Sequence, residues 1–102
     1  AGITPLKTLL ASLAGCSGTT LALVLGKMHQ PVDGIEVDVR AVRRDEHPTV
    51  YTEIALRVTV RGAGVDPAAV ERAIAVAEEQ LCPVWAMLKG ATPISTCYRV
   101  VE

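Results

Sequence analysis

The side chains in this sequence with the most covalent chemistry to offer are three cysteines, Cys16, Cys82 and Cys97. They are few, odd in number and far apart, which does not describe a secreted disulfide framework. No CxxC or Cys/His spacing suggests zinc. Each thiol is therefore either an inert filler of space or a redox group, and its local setting separates the two. Cys82 precedes Pro83 in "LCPVWAMLKG". Proline inside a helical run either kinks the helix or begins a new one. If Pro83 is the first residue of a new helix, Cys82 is its N-cap and Gly90 ends it. A thiol at a helix N-terminus sees free N–H groups and the positive end of the dipole, which favour the thiolate. Local chemistry therefore nominates Cys82. Cys16 lies in "LLASLAGCSG", on a helical face with Leu9, Ser12, Thr19, Thr20 and Leu23. Two readings stay open there. Either the hydroxyls bond back to helix carbonyls while the thiol fills space, or the face lines a small polar pocket. Cys97, sharing a strand face with Ser95 and Arg99, reads as structural. His29 and His47 each stand alone beside a turn and support no metal site.

These residues need elements to hold them. Thr4 and Pro5 open a helix as N-cap and first helical residue, and the pattern runs to about Met28, roughly 35 Å at about 1.5 Å per residue. Residues 8–26 carry no charge, and Leu13-Ala14-Gly15-Cys16 resembles a lipoprotein cleavage box, so a membrane span or lipid anchor has to be weighed. Three features favour a buried helix of a soluble, cytoplasmic protein. Lys7 is the only basic residue ahead of Cys16. The sequence after it, "SGTTLALVLG", is apolar where a tether would be polar. The strands that follow need a helix to cover them. Along the helix, Ala11, Gly15, Gly18, Ala22 and Gly26 form a stripe of small residues. Each mid-helix glycine costs about 1 kcal/mol relative to alanine, so the stripe predicts close contact with another helix, such as the same helix of a second subunit.

"GIEVDVRAV" and "TEIALRVTVR" alternate apolar and polar residues and predict an antiparallel hairpin across the charged turn "RRDEHP". Asp66-Pro67 opens a second helix with Val70, Ile74, Ala77 and Leu81 inward, and "PISTCYRVV" closes the chain as a strand. The order helix, strand, strand, helix, short helix, strand predicts one α+β domain over residues 1–102. A long helix that is apolar all round needs cover on more than one side, which predicts a homodimer. Ten basic and eleven acidic residues leave a net charge of −1, and aromatics make up only 3%. No basic run interleaved with aromatics is present, so a nucleic-acid partner is not expected, and no cofactor motif is found.

The segments "TPLKTLLASLAGCSGTTLALVL", "QPVDGIEV", "RRDEHPTVYTEI" and "VERAIAVAEEQLCPVWAMLKGATPI" resemble the osmotically inducible protein C and organic hydroperoxide resistance (OsmC/Ohr) family. The resemblance runs from about Gly2 to Val101, and its most specific parts are the Ala-Gly-Cys segment and Leu-Cys-Pro-Val. It implies an intertwined α+β homodimer with two long helices buried at its centre. It also implies reduction of organic hydroperoxides by a cysteine pair. Cys16 would be the attacking thiolate that becomes a sulfenic acid, and Cys82 would resolve it as a disulfide. A dithiol reductant such as a lipoyl protein would reopen the bond. This reverses the local nomination of Cys82 as the nucleophile. Peroxidase members carry N-terminal strands with an activating arginine, and a glutamate just after the helix-start proline. Here the sequence begins at the helix, and Leu6 and Lys7 follow Pro5. The alternative is thus a non-catalytic, dimeric OsmC-like binding or stress-response protein.

Overall fold

The computed structural model describes residues 4–102, so Gly2, where the resemblance starts, lies outside it. Helix α1 spans Pro5–Lys27, with the Thr4 hydroxyl accepting from the Lys7 amide at 3.2 Å. Its C-terminal end is closed by the Met28 and His29 amides on the Val24 and Gly26 carbonyls, and His29 turns the chain in the left-handed region at φ 58°.

The alternation of the next two segments gives strands β1 (Gly34–Arg43) and β2 (Tyr51–Arg61), paired antiparallel with Val37 opposite Val58 and Asp38 opposite Arg57. Ile54, Leu56, Val58 and Val60 point from β2 into the core. At the exit of β2 the backbone passes so close to the 31–33 segment that any Cβ on Gly62 would collide with the Pro31 carbonyl. Asp66 then caps α2 (Pro67–Val76) by accepting from the Ala68 amide at 3.0 Å. A wider π-helical turn, Ala77–Leu81, follows, and then α3 (Pro83–Lys89) and β3 (Ile94–Val101).

The sheet order is β1-β2-β3. The expectation of antiparallel strands holds for β1 and β2, but β3 pairs parallel to β2, with Arg57 opposite Cys97. The reason is the connection: α2, the π-turn and α3 carry the chain back across the helical layer, and such a crossover returns a strand in the same direction. The fold remains α+β.

The core lies between the sheet and the helices. Helix α1 packs mainly on β1, with α2 and α3 beside it. Its buried row is Leu13, Ser17, Leu21 and Leu25, successive i, i+4 positions that share one face. Neither face singled out from the sequence forms this row. Of the stripe's glycines, Gly18 is the one near β1, where a Cβ would touch Val37 at 3.5 Å, while Gly15 and Gly26 face open space in the single chain. Leucines win the core face because each buries far more apolar area than glycine or alanine. Among the described residues α1 is the one helix long and apolar enough to cross a membrane by length and composition. Here it forms a layer on the sheet and is buried along a single row, not all round.

Candidate active site

Two elements meet at the thiols. Cys16 precedes the buried Ser17 on α1 and is itself half-buried. Cys82 arrives at the junction of the π-turn and α3. Pro83 has no N–H, and an α-helix continued through it would drive its ring against the carbonyl four residues back. The coil widens instead, and the Cys82 amide donates to the Ala77 carbonyl at 2.9 Å, five residues back. Cys82 itself is extended at φ −82°, ψ 105°, as expected of a residue before proline. Its carbonyl then accepts from Ala86 to start α3. The widened turn, stopped by proline, swings the Cys82 side chain toward α1.

The result is a sulfur pair. Cys82 Sγ donates to Cys16 Sγ at 3.0 Å, and both are free thiols. A disulfide bond is about 2.05 Å long, so the sulfurs need move only about 1 Å to join. The Ser17 hydroxyl lies 3.9 Å from Cys82 Sγ. Trp85, one turn into α3, is buried, and its indole N–H has no partner. Among the described residues no lysine or arginine is hydrogen-bonded to either sulfur, and the three ion pairs, Arg40–Asp38, Arg44–Glu46 and Arg61–Glu36, involve exposed side chains.

The electrostatics of Cys82 reverse the expectation of a favoured thiolate. Burial, with only 1% of the residue exposed, pushes the thiol up from its ordinary range. The hydrogen bond to Cys16 and the charge of a Cys16 thiolate push the same way, while the Trp85 amide and the Ser17 hydroxyl pull it down. Desolvation outweighs the helix terminus because α3 is only seven residues long and its cap makes no full side-chain hydrogen bond. A protonated Cys82 beside Cys16 suits a thiol held in reserve better than a primary nucleophile.

The structure thus brings Cys16 and Cys82 together and leaves Cys97 out. Cys97 is exposed on the sheet face turned away from the core, beside Arg57. Of the two readings of the Cys16 face, Ser12 follows the one in which hydroxyls bond back to the helix. Thr8 and Ser12 bond back to helix carbonyls four residues earlier. The hydroxyl at the thiol pair is that of Ser17, which sequence reasoning missed. Its signal was available: it is the one polar member of a leucine row at i, i+4 spacing.

A family model for OsmC-like proteins matches residues 1–96. The chain is 36% identical to protein YhfA of Escherichia coli K12 over 97 residues, which cover 95% of this chain and 72% of that one. A crystal structure of a hypothetical protein from Aquifex aeolicus VF5 superposes with a TM-score of 0.94 at 33% identity, covering 99% of this chain and 76% of the other. The organic hydroperoxide resistance protein OhrB of Bacillus subtilis shares the fold at a TM-score of 0.68 and 22% identity, covering 97% of this chain and 72% of its own. The match carries both cysteine segments and the long helix that presents the first of them, and the chain belongs to the OsmC/Ohr family, as an OsmC-like member.

Proposed function

We propose that this protein is a thiol-dependent peroxidase of oxidative-stress defence that reduces organic hydroperoxides. The observation that carries the reading is the 3.0 Å separation of the Cys16 and Cys82 sulfurs. The half-buried Cys16 thiolate attacks one oxygen of the hydroperoxide, the O–O bond breaks, and the alcohol leaves after taking a proton. Cys16 is then a sulfenic acid. Cys82 attacks that sulfur, a disulfide forms, and hydroxide departs with the Cys82 proton as water. A dithiol such as a lipoyl protein restores both thiols and is itself oxidised to its disulfide.

The working form in this reading is a cytoplasmic homodimer, and uncovered apolar surface on the helical side supports the second copy. Leu23 is 63% exposed, Leu81 51% and Met87 73%. A groove of about 450 Å³ runs between α1 and the π-turn, lined by Thr20, Leu23, Val24, Met28, Val76 and Leu81 among others. A second copy covering this side would bury Leu23 and Leu81, the latter next to Cys82 in the chain. OhrB supports the substrate class by its name and by its shared fold.

The test is direct. Treat the reduced protein with cumene hydroperoxide, and map the cysteines by mass spectrometry. A Cys16–Cys82 disulfide with hydroperoxide consumption is expected, and Cys16→Ser abolishes both. Absence of that disulfide ends the reading. It would leave the second one, a non-catalytic binding or stress-response dimer, which is favoured by the lack of a hydrogen-bonded cation at either sulfur among the described residues.

A further inference from the structure

Ser17 has no place in the cysteine chemistry above, yet it occupies an unusual position. It is fully buried, in a row otherwise made of Leu13, Leu21 and Leu25. A buried hydroxyl in such a row is unfavourable unless it is hydrogen-bonded. The ordinary solution in a helix is to bond back to the carbonyl four residues earlier. Thr8 and Ser12 on the same helix do so, at 3.0 Å each. Ser17 does not: its hydroxyl faces the Cys82 sulfur, 65 residues away and 3.9 Å distant. The groups acting on that sulfur are Cys16 and Ser17 from α1 and the Trp85 amide from α3, with no contribution from Glu78 or Glu79 of the adjoining turn.

We infer that Ser17 is a positioning residue for the resolving half of the cycle, its hydroxyl donating to the Cys82 sulfur while that sulfur attacks or leaves. The inference rests on the disulfide chemistry proposed above. In the forward direction, Cys82 must lose its proton to attack the Cys16 sulfenic acid, and the proton and the sulfenic hydroxide depart together as water. In the return direction a reductant thiolate bonds to Cys16, the disulfide breaks, and Cys82 leaves with the electron pair. Both steps pass through a buried anion on Cys82. A donor that rotates onto the sulfur when it is charged, and tolerates the neutral thiol otherwise, lowers both barriers. Alanine in place of Ser17 keeps the packing and removes only this donor.

The test separates this role from the peroxidase reading. First, in protein carrying Cys16→Ala and Cys97→Ser, Cys82 is the sole thiol, and its ionisation is followed by thiolate absorbance against pH with no peroxide present. Adding Ser17→Ala is expected to raise the midpoint by about half to one pH unit, and Ser17→Thr in its place is expected to restore it. Second, in the otherwise native chain, hydroperoxide-driven formation of the Cys16–Cys82 disulfide at neutral pH is expected to slow by about three- to tenfold in Ser17→Ala, the matching loss of thiolate. The melting temperature should hold or rise. An unmoved midpoint in Ser17→Ala, while the native chain still forms its disulfide, overturns the role of Ser17 and leaves the peroxidase reading intact. A moved midpoint with no disulfide in the native chain keeps the hydroxyl's action on Cys82 and overturns the peroxidase. A fall in melting temperature without recovery of the midpoint by Ser17→Thr makes the residue merely structural and ends the inference.

Discussion

Cys82 donates its thiol hydrogen to Cys16 Sγ across 3.0 Å, although the two residues are 66 positions apart in sequence. The contact joins α1 to the start of α3, and so ties the first quarter of the chain to the last. Its consequences can be measured one at a time.

Oxidation should stabilise the fold. Closing a loop of this size removes conformational freedom from the unfolded chain, worth about 4 kcal/mol in the chain-entropy treatment. The sulfurs already lie close, so little native distortion offsets the gain. Thermal melting of hydroperoxide-treated protein is expected well above that of the reduced form. Cys97→Ser should leave the difference intact, because Cys97 is exposed on the far sheet face. Equal melting temperatures in the two redox states would show that the bond does not form or that it strains the site.

The reduced protein should lose stability in alkali, and the part due to Cys82 can be isolated by substitution. Burial raises this thiol above its ordinary 9.0 in the folded chain. Near and above pH 9 the unfolded chain therefore gives up the Cys82 proton while the folded chain keeps it. Folded protein then binds more protons than unfolded, and the unfolding free energy falls as pH rises. The contribution is complete below the unfolded pKa and is lost progressively as pH climbs toward the folded value. Urea midpoints of the native chain and of Cys82→Ser, compared between pH 7.5 and 10, should diverge, with the native chain falling more steeply. Parallel slopes would mean that Cys82 titrates alike in both states.

Much of this arrangement was legible beforehand, and what was hidden has physical causes. Strict alternation in "GIEVDVRAV" and "TEIALRVTVR" marks the hairpin because a half-buried sheet demands it, and Thr4-Pro5 and Asp66-Pro67 mark helix starts by their capping chemistry. The Cys16 and Cys82 segments could be paired only through family resemblance, since nothing local relates residues so far apart. The parallel direction of β3 depends on the path of the crossover, not on the strand's own residues. The buried row of α1 was obscure because the helix is apolar nearly all round, and glycines there drew notice from the leucines flanking Ser17. The acidity of Cys82 was misjudged because its depth of burial is set by α1, an element distant in sequence.

The core row and the open face of α1 should respond oppositely to substitution. Leu21 is 1% exposed and Leu23 is 63% exposed. Leu21→Ala should cost about 2–5 kcal/mol by urea unfolding, as expected for a buried leucine that leaves a cavity. Leu23→Asp should instead spare the fold and split the proposed homodimer, read by sedimentation. A native chain that sediments as a monomer at all concentrations would remove the second subunit from the proposal.

Pro83 offers the sharpest check on how the site is built. The Cys82 amide reaches the Ala77 carbonyl five residues back, and the coil stops where proline lacks an N–H. Restoring the N–H with Pro83→Ala removes the ring that forbids a regular helix and frees Cys82 from its extended conformation. The α2 coil can then run on into α3, which rotates the Cys82 side chain about the helix axis and away from Cys16. Far-ultraviolet circular dichroism should show slightly more helix. Disulfide formation with cumene hydroperoxide should slow by about tenfold or more, on the general sensitivity of such reactions to misplacement by an ångström. Hydroperoxide consumption in a single turnover, which in the proposed cycle needs only Cys16, should be nearly unchanged. That split between attack and resolution is the diagnostic result: loss of both steps would mean that Pro83 supports the fold as a whole, and loss of neither would mean that the widened turn does not position Cys82.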